Sequence, residues 1–166
     1  MNVLETARLV LRRVEKSDAA LFVELLNDPA FIRYVADRGV RTTDDAVAYI
    51  EEKILPSFTK FGFGFYVAEQ KETGESIGIC GLIKRDTLDD VDVGFSILRK
   101  FWGHGYATEA AAGVIEYGRT AFGLPRIVAI ASPENTNSIN VLKKLGLRFE
   151  KTIQLPGYNL DGQLYV

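Results

Sequence analysis

The chain has 166 residues, 47% of them hydrophobic, which is enough for one domain with a real core and short for two. Its 20 Lys and Arg against 22 Asp and Glu leave a net charge of −2, so bulk charge offers no basic face for nucleic acid and no charged tail. One cysteine, Cys80, cannot form an internal disulfide, and a single histidine leaves no Cys/His metal spacing.

Charges interrupt the first eight residues, where a signal peptide needs an apolar run, and no stretch approaches the roughly 20 apolar residues of a membrane span. A cytoplasmic protein without membrane or nucleic-acid partners is expected. Residues 4–13 alternate around Leu9 and Leu11 and predict one strand. Ser17 or Asp18 can cap a helix bearing Leu21, Phe22, Leu25 and Leu26, which Asn27-Asp-Pro29 should stop. A second helix after Thr43 carries Ala46, Val47, Ile50, Ile54 and Leu55, with Pro56 near its end. The period then changes. Residues 63–70 and 76–84 read as a hairpin whose turn offers Gly74 for positive φ. After a polar turn over 85–90, residues 91–98 form a third strand, with Val91, Val93, Phe95 and Ile97 on one face.

The pattern switches again at a loop over 99–106 containing Gly103 and Gly105. Ala107, Ala111, Val114, Ile115, Gly118 and Phe122 follow at helical spacing, stopped by Gly123 and Pro125. Residues 126–131 are a short strand, and 132–135 lead into a helix that runs through Leu145 and closes at Gly146. Two final strands, 147–153 and 160–166, flank a loop with Pro156, Gly157 and Asp161-Gly162. The expected fold is one α/β (mixed α+β) domain over residues 1–166 with at least one parallel crossover. Cys80 sits in an apolar run and reads as a buried structural thiol.

The chemistry concentrates in two places. In the first, a strand ends, a loop with Gly103 and Gly105 follows, and a small-residue helix begins. Helix starts expose unpaired N–H groups with partial positive charge, and glycine lets a phosphate approach closely. Arg99 and Lys100 add charge at the rim, so the stretch reads as a pyrophosphate cradle. It is neither a P-loop, since no Gly-Lys-Ser/Thr follows, nor a dinucleotide fingerprint, since the third glycine is absent. In the second, Ser132-Pro-Glu-Asn-Thr-Asn-Ser138 opens a helix. Asn135 suits its N-cap, and Asn135, Ser138 and Leu142 or Leu145 can line one groove wall.

Taken together, Thr6-Ala-Arg-Leu-Val-Leu-Arg12, Val93-Gly-Phe95, Trp102-Gly-His-Gly-Tyr-Ala-Thr-Glu-Ala110, Asn135-Thr-Asn-Ser138 and Leu142-Lys-Lys-Leu-Gly146 resemble the GNAT superfamily of N-acetyltransferases, most closely its RimJ/RimL-like branch. The resemblance implies a strongly curved mixed sheet of about seven strands with helices on both faces. Its central strands would splay around acetyl-CoA. It assigns cosubstrate contacts to Phe95, Ser96, Ile97, Leu98, Arg99, Lys100, Gly103, His104, Gly105, Tyr106, Ala107 and Thr108, and to Asn135, Asn137 and Ser138.

Two positions depart from the family. Lys100 stands where Gln or Arg usually opens the loop, and Leu142 stands where many members carry a tyrosine general acid. Ser138 is the replacement candidate, beside Asn135. A base must accept the amine's proton, and Asp92 on the strand entering the site is the first candidate, Glu109 the second. A backbone N–H around Ile97 or Leu98 is the expected oxyanion donor. His104 and Trp102 read as loop residues, the latter anchoring by packing. The implied reaction is direct acetyl transfer to a primary amine, either a protein N-terminus or a small molecule, in a ternary complex without metal. The alternatives are a non-catalytic acyl-CoA-binding module and a nucleotide-binding protein of another fold. A monomer or a homodimer is equally compatible.

Overall fold

In the computed structural model, residues 2–158 and 161–166 are described. The strands are β1 (Asn2–Glu5), β2 (Leu9–Arg13), β3 (Phe65–Gln70), β4 (Ser76–Ile83), β5 (Val91–Ile97), β6 (Ile127–Ala131), β7 (Phe149–Ile153) and β8 (Gly162–Tyr165). They form one mixed sheet in the order β1-β2-β3-β4-β5-β6-β8-β7, in which β5–β6 is the parallel pair. The sheet has eight strands rather than about seven because residues 4–13 are not one strand. Thr6 N–H donates to the Leu9 carbonyl (2.9 Å) and its Oγ1 accepts from Leu9 N–H (3.2 Å), turning the chain back on itself. The last strand begins at Gly162. The expected start at Leu160 lies outside the described residues.

The helices are α1 (Ala19–Leu26), α2 (Pro29–Tyr34), α3 (Thr43–Tyr49), α4 (Leu55–Phe61), α5 (Tyr106–Phe122) and α6 (Thr136–Lys144). Asn27-Asp-Pro29 stops α1 but also starts α2, because proline tolerates the first helical turn and Asp28 accepts from Ala30 N–H (2.9 Å). The helix after Thr43 does not end near Pro56 either. A π-helical turn over Ile50–Ile54 re-registers the backbone so that Pro56 falls in the first turn of α4. Helix α5 packs on β4, β5 and β1, and α1 packs on β4, so helices cover both faces.

The facing of β5 positions the chemistry. A Cβ on Gly118 of α5 would stand 2.9 Å from Ile127 Cδ1 and 3.1 Å from Leu82 Cδ1, so those two side chains point at α5. Leu82 pairs with Val93 and Ile127 with Val91, which places Val91 and Val93 on the same face. Asp92 lies between them and therefore faces away from α5.

Candidate active site

Strands β5 and β6 share only two rows, Val91 with Ile127 and Asp92 with Val128. Beyond these β5 runs on to Ile97 and β6 to Ala131 without pairing to each other, which opens a wedge in the sheet. Successive residues of a strand turn their backbone groups to opposite sides. Leu98 N–H donates to Ile77 O on β4 (2.8 Å), so it is committed to the sheet. The amides of Ile97 and Phe95, one and three residues back, point into the wedge. Of the two oxyanion donors expected, Leu98 is thereby excluded and Ile97 remains, with Phe95 beside it. The Trp102 indole N–H occupies the Ile97 carbonyl (2.7 Å), so Trp102 anchors the loop by a hydrogen bond while its ring stays exposed, not by the expected packing.

At the wedge's open end the loop turns through Gly103 (φ 80°) and Gly105 (φ 79°), both in the left-handed region. Gly105 is the N-cap of α5 and has no capping side chain, which leaves the first amides of a 17-residue helix facing outward. A Cβ on Gly105 would have only Arg8 Nη2 within 4 Å, at 3.6 Å, so the concavity is open. The two expected rim charges both have carboxylate partners. Arg99 is bound to Asp28 (2.7 and 3.1 Å) and stacked on Trp102, and Lys100 leans toward Glu75 (3.5 Å). The guanidinium at the start of α5 is that of Arg8, stacked over the Tyr106 ring at 4.3 Å. Arg8 comes from the β1–β2 turn, nearly 100 residues away in sequence, and nothing local in the loop signals it. Tyr106 is held from below by Gln70 Nε2 on its hydroxyl (2.8 Å), and His104 is exposed.

Glu109 explains how Arg8 is placed. Its carboxylate accepts from Thr6 Oγ1, from Arg8 N–H (2.8 Å) and from Arg8 Nε (2.7 Å). Partial burial pushes this carboxyl up, but the bonds from Thr6 and Arg8 together outweigh it and hold it below its ordinary value. Glu109 is thus a tie between α5 and the β1–β2 turn, and its oxygens are occupied.

On the other wall, Asn135 and Ser138 are coupled. Asn135 Oδ1 accepts from Ser138 N–H (3.3 Å) as the cap of α6, while Asn135 Nδ2 donates to Ser138 Oγ (3.1 Å). A hydroxyl that accepts from one side has its own proton free to donate elsewhere. Asn137 is exposed on the same turn, and Leu142 is buried in the core. Asp92 stands on the opposite wall, only 2% exposed. Burial pushes its carboxyl up, against the lowering pull of Arg85, whose Nε and Nη2 both reach Oδ2 at 3.3 Å. Asp92 Oδ1 is buried without a hydrogen-bond partner among the described residues. Ser132 Oγ, just past β6, is in the same state.

Helix α2 spans the mouth of the wedge. Asp28 at its start binds Arg99, beyond the end of β5, and Arg33 near its end reaches Glu134, beyond the end of β6 (3.3 Å). One short helix therefore touches both lips, a role that a stop signal at Pro29 did not suggest.

A family model for the acetyltransferase (GNAT) domain matches residues 8–148. The p20 protein of Bacillus licheniformis, an uncharacterized N-acetyltransferase, is 34% identical over 154 residues, covering 90% of this chain and 84% of its own. YkkB of Bacillus subtilis strain 168 is 33% identical over 155 residues, covering 91% and 88%. The structure of RimL, a ribosomal L7/L12 α-N-protein acetyltransferase in complex with coenzyme A, superposes with a TM-score of 0.82 over 99% of this chain and 96% of that one, at 15% identity. The wedge, the glycine loop before α5 and the match across most of the chain lead to one conclusion: this protein belongs to the GNAT family and is an N-acetyltransferase.

Proposed function

We propose that the chain, as a single domain, binds acetyl-CoA along the β5 wall of the wedge and transfers the acetyl group to a primary amine in a ternary complex. The observation that carries this reading is the loss of β5–β6 pairing after Asp92 and Val128, directly below an uncapped helix start built on Gly105. The α5 amides and Arg8 hold the pyrophosphate. The wedge-facing groups of Phe95 and Ile97 hold the pantetheine arm, and one of their amides receives the oxyanion.

In the transfer, the amine nitrogen bonds to the thioester carbon as the C–S bond breaks. Asp92 Oδ1 takes the amine's proton, and its burial makes it a better base than an exposed aspartate. Ser138 donates to the departing sulfur. A thiol with a pKa of about 8.5 needs little more help than one such bond. This lets Ser138 stand where other members use tyrosine, a position that Leu142 fills here with core packing. The similarity to RimL in fold favours a place in the RimJ/RimL-like branch, and the acceptor is a protein N-terminus or a small amine. A cytoplasmic location, monomeric or homodimeric, accords with acetyl-CoA as donor.

The test is thiol release from acetyl-CoA across a panel of amines and N-terminal peptides, beside Ser138→Ala and Asp92→Asn. Acceptor-dependent release is expected. Ser138→Ala should lower kcat about 10²-fold or more with KM for acetyl-CoA unchanged, and Asp92→Asn should remove the acidic limb of the kcat/KM profile. Tight CoA binding with no release for any acceptor would favour the non-catalytic binding module instead.

A further inference from the structure

The face of β5 that carries Asp92 is covered by a positive cluster that the transfer mechanism does not use. Arg85, from the β4–β5 turn, and Arg38, from the segment between α2 and α3, both lie against the Tyr158 ring, at 5.2 and 5.5 Å from its centroid. Tyr158 belongs to the β7–β8 connection, so three separate segments meet at its ring, and Arg85 links them to Asp92. Arg85 spends Nε and Nη2 on Asp92 Oδ2, and its side chain is 20% exposed. Arg38 makes one long bond, Nη1 to the Gly157 carbonyl (3.4 Å), and its Nε is buried without a partner among the described residues. The neighbouring carboxylate, Asp37, is already bound to Arg41 (2.6 Å) and to Gly39 N–H. Asp92 thus matches Arg85, and the nearby Arg38 has no carboxylate partner among the described residues, with its Nε in a dehydrated place.

Partly buried guanidinium donors and an unmatched charge are costly unless something completes them. A planar guanidinium fork is suited to a carboxylate or a phosphate. We propose that Arg38, next to the Arg85–Tyr158 contact, forms an anion subsite in the acceptor pocket, and that the preferred acceptor is a primary amine carrying a carboxylate or phosphate a few bonds from its nitrogen. The inference rests on the acetyl-transfer reading and narrows it. The amine sits at Asp92 Oδ1 and the anion at Arg38, so the cluster selects the acceptor and orients its nitrogen at the same time. Cationic polyamines are disfavoured by the same charge.

The test uses matched acceptors in the thiol-release assay: 4-aminobutyrate against 4-aminobutanamide, 3-aminopropyl phosphate against 3-aminopropanol, and 1,4-diaminobutane. Alongside it, calorimetry measures binding of the two anionic amines to the CoA-saturated protein. The anionic member of each pair should be favoured about tenfold or more in kcat/KM, the worth of one charged hydrogen-bond pair. Arg38→Gln should collapse that ratio toward one, Arg38→Lys should restore part of it, and KM for acetyl-CoA should stay constant in both. Carboxylate and phosphate sources are told apart by which pair shows the larger ratio. Equal or better use of the neutral or cationic acceptors overturns the subsite, as does a ratio that Arg38→Gln leaves intact. Calorimetric binding of an anionic amine without turnover, lost in Arg38→Gln, would uphold the subsite while sinking the transfer reading. Neither binding nor turnover with the anionic amines would overturn the subsite itself.

Discussion

Helix α5 begins and ends on a glycine in the left-handed region, Gly105 (φ 79°) and Gly123 (φ 62°), about 25 Å apart along the axis. Both positions are sterically open: nothing lies within 4 Å of a Cβ on Gly123, and only Arg8 Nη2, at 3.6 Å, on Gly105. Alanine therefore costs each site the same thing, about 1–2 kcal/mol of backbone strain. In a domain of this length that lowers Tm by about 2–8 °C, which scanning calorimetry resolves. The two variants should differ in ligand binding. At Gly105 the methyl enters the space assigned to a phosphate oxygen and holds it away from the first α5 amides. An anion at such a helix start is worth about 1 kcal/mol, up to ~2 in partly buried geometry, so Kd for CoA should rise about 5- to 30-fold. Gly123→Ala should leave Kd unchanged. If Gly105→Ala binds CoA as tightly as the parent despite its lowered Tm, the loop is not the cradle. If Gly123→Ala weakens binding equally, the effect is strain and not contact.

Three further outcomes follow from the same geometry. Glu109→Gln weakens three bonds to an ionised carboxylate at a site only 17% exposed, at a cost of about 2 kcal/mol. Because the folded pKa of Glu109 lies below its ordinary 4.5, this stability is present above that value and is lost as pH falls through the lower folded one. The parent should thus lose Tm below about pH 4.5 by more than the Gln variant does. Asn135→Asp retains an acceptor for the α6 cap but cannot donate to Ser138 Oγ. It should keep Tm within a few degrees while kcat falls, whereas Asn135→Ala should lose both, with about 1 kcal/mol from the cap. Cys80 is fully buried and its thiol is pushed up by that burial, so Ellman's reagent should find no reactive thiol in the native protein and one per chain after unfolding. A full equivalent in the native state would mean that β4 is not held in the core as described.

What the sequence showed and what it hid differ by the range of the interaction involved. The β3–β4–β5 meander, α5 with its terminal glycines and the Asn135 cap were legible because each is set by neighbours within one or two turns of chain. The split of residues 4–13 was missed because alternation continues through a turn that rests on Thr6 bonding back to Leu9. Helix α2 was missed because the residues that end one helix, Asp28 and Pro29, also begin the next. In the site, Gly103, Gly105 and Ser138 were readable as local motifs. The side-chain roles of Arg99 and Arg8 were not. A basic residue beside a glycine loop reads as a phosphate ligand until a carboxylate 71 residues away claims it, and sequence proximity carries no record of that partner.

The long-range side-chain ties at Arg99 and Arg8 have one physical cause. A parallel pair that stops after two rows leaves edge groups on both strands and nothing in the sheet to hold the walls at a fixed spacing. The spacing must come from outside the sheet, hence from residues distant in sequence. Asp28–Arg99 and Arg33–Glu134 tie α2 to the two lips, and Thr6, Arg8 and Glu109 tie the start of α5 to the far β1–β2 turn. The Arg33–Glu134 pair is exposed on both sides and is worth less than about 1 kcal/mol, while Arg99–Asp28 is the firmer, two-bonded tie. The weaker Arg33–Glu134 tie suits an entrance that admits one substrate and releases another. The partly buried tie at Glu109 lies at the start of α5, the side proposed for the cosubstrate's phosphates. A helix start tied by Thr6, Arg8 and Glu109, with one exposed ion pair at the mouth, suits the proposed ternary-complex transfer.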